Sequence, residues 1–264
     1  MTNAPERSIA EGLRWVEPRN WGHLGAHSFR LDAVPGEEFM LIFPEWLTSR
    51  ETVLLPKFAW NRLPATARWQ EGPYSLTISL RAERSDRSIG IAWEYLFRNE
   101  ASARLTDLAA FNCLNLDAAP GFKDLAMERT WVSDADGQKI CLRDVAKTQG
   151  PGKRTMQFYP VLHGMDPTLT AKISGYGVTS PARLSGDRIG VLSKSGDWLI
   201  ESIVDGPLAC LFNNWEADHG CIHAAPLFGD VAPASEAGVR GSVRFTRAGR
   251  PAGLQRPGPQ VGKA

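Results

Sequence analysis

The run Ile89-Gly90-Ile91-Ala92-Trp93-Glu94-Tyr95-Leu96-Phe97 constrains the fold more than any other part of the chain. Ile89, Ile91, Trp93, Tyr95 and Phe97 occupy alternate positions, so an extended backbone sends all five to one face. A helix would scatter them around its circumference. Residues 74–80 alternate in the same way through Tyr74, Leu76, Ile78 and Leu80, and the polar link 82–87 joins the two runs as a hairpin. Further strands are predicted over 39–43, 52–58, 108–116, 128–132, 155–158, 188–193, 198–204, 208–212 and 241–246. Turn pairs punctuate them at Pro35-Gly36, Asp136-Gly137, Pro151-Gly152, Ser185-Gly186 and Ser195-Gly196. Helical periodicity is weak throughout. The pattern predicts an all-β protein, a two-sheet antiparallel β-sandwich forming a single domain over 1–247. The Pro- and Gly-rich segment 248–264 reads as a flexible tail.

A chain of 264 residues, 43% of them hydrophobic, can bury a large core. Thirty basic and 29 acidic residues leave a net charge of +1, which argues against a nucleic-acid partner. No polybasic run and no stretch near the roughly 18 apolar residues of a membrane span is present, so no membrane association is expected. Residues 1–10 lack the apolar stretch of a secretory signal, and cytoplasmic residence is the expectation. Cys113, Cys141, Cys210 and Cys221 are widely spaced without a CxxC pair and read as free thiols. Nine tryptophans serve either core packing or a sugar-stacking surface.

Several familiar chemistries have no motif here. The chain lacks a GxxxxGK[ST] phosphate loop, a GxGxxG turn, HExxH and GxSxG, so no nucleotide cofactor is expected. The densest group of titratable residues runs from Trp215 through Glu216, Asp218, His219, Gly220 and Cys221 to His223. In extended backbone His219, Cys221 and His223 point to one face, and imidazole and thiolate suit zinc, iron, manganese or copper. Gly220 allows the backbone to leave that geometry. The bland alternative is a loop in which Cys221 packs as a small apolar residue. His23 and His27, four apart in a Gly-containing segment, are candidate completing ligands. Catalysis would fall to His223 and His219, with Glu216 or Asp218 as base. Trp215, Arg129 and Glu94 are candidate substrate contacts. Arg129 suits a ligand carboxylate or, equally, its neighbours Glu128 and Asp124. His163 sits in a predicted turn.

The stretch Ile91-Ala92-Trp93-Glu94-Tyr95-Leu96-Phe97-Arg98-Asn99, followed by Leu105-Thr106-Asp107-Leu108, resembles a strand pair of galactose mutarotase-like proteins. Cys221-Ile222-His223-Ala224-Ala225-Pro226-Leu227-Phe228-Gly229, leading to Gly241-Ser242-Val243-Arg244-Phe245, resembles uncharacterised bacterial β-sandwich proteins. The resemblance implies a supersandwich-like, carbohydrate-related fold; no catalytic residue of mutarotases aligns with a position here. The expected function is recognition or conversion of a small-molecule or oligosaccharide ligand by a lyase, epimerase (isomerase) or hydrolase, with His and carboxylate proton transfer, with or without a divalent metal. The alternatives are a non-catalytic carbohydrate-binding module and a structural subunit of a complex.

Overall fold

The computed structural model describes residues 8–10, 12–16, 26–58, 65–148, 157–161, 178–216 and 219–248. In chain order the strands are β1 (Ser8–Ala10), β2 (Leu13–Val16), β3 (His27–Leu31), β4 (Glu38–Thr48), β5 (Val53–Leu54) and β6 (Ala65–Glu71). They continue with β7 (Tyr74–Arg84), β8 (Ser88–Asn99), β9 (Leu105–Asn115), β10 (Thr130–Ser133), β11 (Lys139–Cys141) and β12 (Gln157–Pro160). The last six are β13 (Val178–Thr179), β14 (Ser185–Leu192), β15 (Trp198–Val204), β16 (Leu208–Trp215), β17 (Gly220–Val231) and β18 (Ser235–Arg247). Among the described residues the only helix is a 3-10 turn at Leu142–Asp144, and none is long and apolar enough to cross a membrane.

Two sheets form a sandwich. The first has the order β1-β2-β3-β4-β9-β17-β16-β12-β13, with β5 paired to β4. The second runs β11-β10-β14-β15-β18-β8-β7-β6. Pairing is antiparallel except for β12 with β13. The alternation of β8 holds as expected: Ile91, Tyr95 and Phe97 are fully buried while Glu94 and Leu96 face out. These residues meet Phe39, Leu41, Leu114 and Ile222 of the first sheet in one core. Phe245 of β18 packs against Phe39, with ring centroids 4.7 Å apart, and edge-on against Phe29. One polar link crosses this core, the Tyr95 hydroxyl donating to Asn112 Oδ1 at 2.6 Å.

The first sheet is buried on both faces at its centre. Every residue of β16 is buried, as are residues 108–115 of β9. Its inner positions (Leu108, Ala110, Leu114) join the main core, whereas Ala109, Phe111 and Cys113 face outward. Those outward residues build two smaller clusters, one around Phe111, Phe158 and Phe212 and one of Ala26, Met40, Ile42, Cys113 and Cys221. The outer face of this sheet is thus a second interior.

Several segments depart from the sequence expectation, among them β2, β3, β11, β13 and β17, which no predicted strand covered. Of 52–58, only Val53–Leu54 pairs, because Pro56 has no amide to offer a ladder. Residues 65–71 form an edge strand whose exposed alternate positions carry too little apolar signal to announce it. The tail from 249 onward lies outside the described residues.

Candidate functional site

The outer face of the first sheet carries a cavity of about 130 Å³. Four strands supply its walls. Ile42 and Trp46 come from β4, Cys113 and Asn115 from β9, Cys221 and His223 from β17, and Phe212 and Asn214 from β16. Alternation explains the set: Cys113 and Asn115, Cys221 and His223, and Phe212 and Asn214 are each two residues apart on their strand, so each pair faces one way. His223 lies opposite both Cys113 and Phe212, and Cys221 lies opposite Asn115 and Asn214. Gly220 opens β17 because a side chain there would meet the Trp215 ring at 2.9 Å. Its glycine serves close approach, and the strand stays extended after it.

Glu45 completes the wall by a different route. Ile42 pairs with Cys113 and Trp46 with Phe111, so Phe43, Pro44 and Glu45 stand against Asn112 alone. Strict alternation would turn Glu45 inward with Phe43 and Leu47, both of the core. The bulge releases it to the outer face, as bulges do when they re-aim a side chain.

The polar groups form a chain. Asp117 accepts from the Gly220 amide at 2.6 Å and pairs with His219 Nδ1 at 3.1 Å. His219 Nε2 lies 3.5 Å from Cys221 Sγ, and His223 Nε2 lies 3.0 Å from the same sulfur. His223 Nδ1 has no hydrogen bond, and its nearest acid is Glu45 Oε2 at 3.9 Å. Asn214 Oδ1, also buried, has no hydrogen-bond partner either.

Burial and neighbours shift every titratable group here. Burial pushes the Glu45 carboxyl up to about 7 against the opposing pull of His223. Hydrogen bonds to Asp117 and then to Cys221 push His219 up to about 10. Burial alone would raise Asp117, but the hydrogen bonds from His219 and Asn115 win and hold it below the usual range. The Cys221 thiol is pulled down by the hydrogen bond from Cys113 and by the imidazoles beside it. Burial resists a charge on His223, and the Cys221 thiolate overrides that resistance.

Sequence reading placed His219, Cys221 and His223 together, and they do meet. Cys113, Glu45 and Asp117 were missing from it. His27 belongs elsewhere: it shares the parity of Phe29 and Leu31, which face the core, while Ser28 pairs with outward-facing Met40. His27 therefore lies on the other face of the sheet from His223, against the Trp15 ring at 6.0 Å. Trp215 is a core residue, 1% exposed, and presents no surface to a ligand. The Arg129 guanidinium donates to the carbonyls of Leu192 (2.5 Å), Lys123 and Gly121 and lies 3.7 Å from Asp124, tying loops together. Glu94 lines a groove of about 270 Å³ on the outer face of the second sheet, with Arg81 and Arg240, on the far side of the sandwich from His223. Glu216 follows β16, and its amide donates to the His219 carbonyl at 2.7 Å. His23 and Asp218, like His163, lie outside the described residues.

The placement of His27 has a measurable consequence. Burial lowers its pKa from 6.5 to about 4. The unfolded chain then binds more protons than the native one between those values. The stability this group contributes is complete above pH 6.5 and is lost as pH falls toward 4. His27→Phe should flatten the dependence of the urea midpoint on pH across that window. An unchanged slope would mean that the ring titrates as in the unfolded chain.

No protein-family model matches the chain, and no curated protein matches it. Solved structures are similar to it at low identity. The Slr1438 protein from Synechocystis sp. PCC 6803 is 11% identical over 94% of this chain and 100% of its own, with a TM-score of 0.46. A candidate aldose 1-epimerase from Escherichia coli K12 is 10% identical over 69% of this chain and 64% of its own, at 0.37. Another from Klebsiella pneumoniae subsp. pneumoniae MGH 78578 is 11% identical over 69% and 53%, at 0.33.

Proposed function

We propose that the outer-face cavity binds a small polyhydroxylated, sugar-like molecule and moves protons on it, as an isomerase of the aldose type would. The observation that carries this reading is the convergence of Glu45, His219 and His223 on one cavity that also contains Trp46 and Asn214. Asp117 orients the His219 ring through Nδ1, as a carboxylate orients an acid–base imidazole. In this reading Glu45 removes a proton from a hydroxyl while the His219 imidazole protonates a ring oxygen. Trp46 supplies an apolar surface for a sugar face, and the unpaired Asn214 oxygen accepts from a hydroxyl. The volume is small beside the roughly 300–1,000 Å³ of pockets for drug-sized ligands, which favours a monosaccharide over an oligosaccharide.

Ligand-observed NMR with a panel of aldoses and polyols tests the binding half of this proposal. Saturation transfer from wild-type protein to at least one aldose is expected, weakened about tenfold or more in Trp46→Ala, the equivalent of about 1.4 kcal/mol. Transfer that is equal in Trp46→Ala, or absent for the whole panel, would place the ligand class elsewhere.

A further inference from the structure

Three metal-ligating side chains of the cavity, Cys113, Cys221 and His223, are each only 2–3% exposed. Their ligating atoms all lie within 4.8 Å of one another. We propose that they hold a single divalent metal ion of the zinc type at the cavity floor. This goes beyond the proton-transfer reading and does not depend on it.

The register explains why these residues suit a metal. Cys113 lies directly opposite His223, so Cys221, two residues before His223, is its diagonal neighbour across β9 and β17. Diagonal side chains start about 7–8 Å apart at the backbone, beyond the span a disulfide bridges without backbone movement. Two thiolates on one ion need no such closeness. With zinc–sulfur bonds of about 2.3 Å and zinc–nitrogen bonds of about 2.0–2.1 Å, tetrahedral ligand atoms stand about 3.5–3.8 Å apart. The donors here all lie within 4.8 Å of one another, and His223 Nε2, 3.0 Å from Cys221 Sγ, has to move out by about half an ångström to share an ion with it.

His223 supplies an independent indication. Its Nε2 faces the sulfur while its buried Nδ1 has no hydrogen bond and points toward Glu45 Oε2, 3.9 Å away. Histidines on metals commonly turn their second nitrogen to a carboxylate, which fixes the ring and strengthens the ligand. Ala26, Met40 and Ile42 pack around the two cysteines and form the apolar shell that keeps bulk water from such an ion. Three protein ligands leave a fourth position, which the open side of the cavity supplies. An ion there would polarise an oxygen of whatever molecule occupies the cavity.

The test uses the metal alone, without any sugar. Metal-free protein titrated with cobalt(II) should bind one equivalent and develop thiolate-to-cobalt charge-transfer absorption with the visible bands of a tetrahedral site. Cys113→Ser and Cys221→Ser should each weaken binding at least tenfold, and Cys141→Ser should leave it unchanged. Because a buried cysteine variant can fail to fold, X-ray absorption on zinc-loaded wild-type protein provides a second reading. Two sulfur ligands and at least one nitrogen are expected. No charge-transfer band, or fewer than two sulfurs around zinc, would overturn the proposal. A metal bound as expected with no sugar turned over would sink only the proton-transfer reading.

Discussion

Gly241→Val should unfold the protein or lower its stability by about 3 kcal/mol or more, measured as a shift of the urea midpoint at unchanged m-value. Gly241 lies in β18 between Val204 of β15 and Trp93 of β8. A β-carbon there would overlap both the Ile203 carbonyl oxygen and the Trp93 ring. Neither can retreat. The carbonyl belongs to a central strand, and Trp93 is 2% exposed with its ring 4.8 Å from that of Tyr95. Overpacking a well-filled core usually costs about 1–3 kcal/mol, and the double overlap with a backbone atom puts this position at or above the upper end. Gly36→Ala, at a turn where a side chain would meet nothing within 4 Å, provides the contrast. Its cost should come from its positive φ of 84° alone, about 1–2 kcal/mol. Equal losses at the two positions would show that the Trp93 contact does not exist as described.

Trp215→Ala should cost about 3–5 kcal/mol in stability. Trp215 ends β16, is 1% exposed and is among the largest fully buried side chains of the core. Its ring covers Gly220, where β17 begins. Truncation would leave a cavity beneath the strand that carries Cys221 and His223. The variant should therefore lose metal or ligand affinity as a consequence of loosening, in step with its thermal denaturation. Affinity lost at full stability would mean that Trp215 touches the ligand after all.

Trp215 also shows where sequence reasoning met its limit. Its place among Glu216, Asp218 and His219 suggested a ligand surface, but the strand ends with its ring turned inward. The alternation of Ile89, Ile91, Trp93, Tyr95 and Phe97 was legible because the large apolar residues of β8 all fall on one face, while its other face carries Gly90 and Ala92 and then turns exposed at Glu94, Leu96 and Arg98. The pairing of Cys221 with His223 was legible for the same period-two reason. Cys113 was not. Residues 108–115 of β9 are buried on both sides, so nothing in Leu-Ala-Ala-Phe-Asn-Cys-Leu-Asn marks which face a residue takes. Glu45 was hidden by the bulge, which reverses the face that counting along β4 would assign. His27 could be placed only relative to β4, whose register no single strand reveals. What remained invisible was therefore the relation between strands, and a site assembled from β4, β9 and β17 consists largely of such relations.

The central claim is that Glu45 and the histidines form a working site, and one rate tests it most directly. A freshly dissolved single anomer of an aldose approaches equilibrium slowly in buffer, and polarimetry follows that approach. Wild-type protein should accelerate it for at least one aldose, and Glu45→Gln at equal folded concentration should reduce the acceleration about 100-fold or more, the lower end of what a positioned acid or base contributes. A wild-type rate indistinguishable from buffer across the aldoses, or a Glu45→Gln rate equal to wild type, would contradict the account.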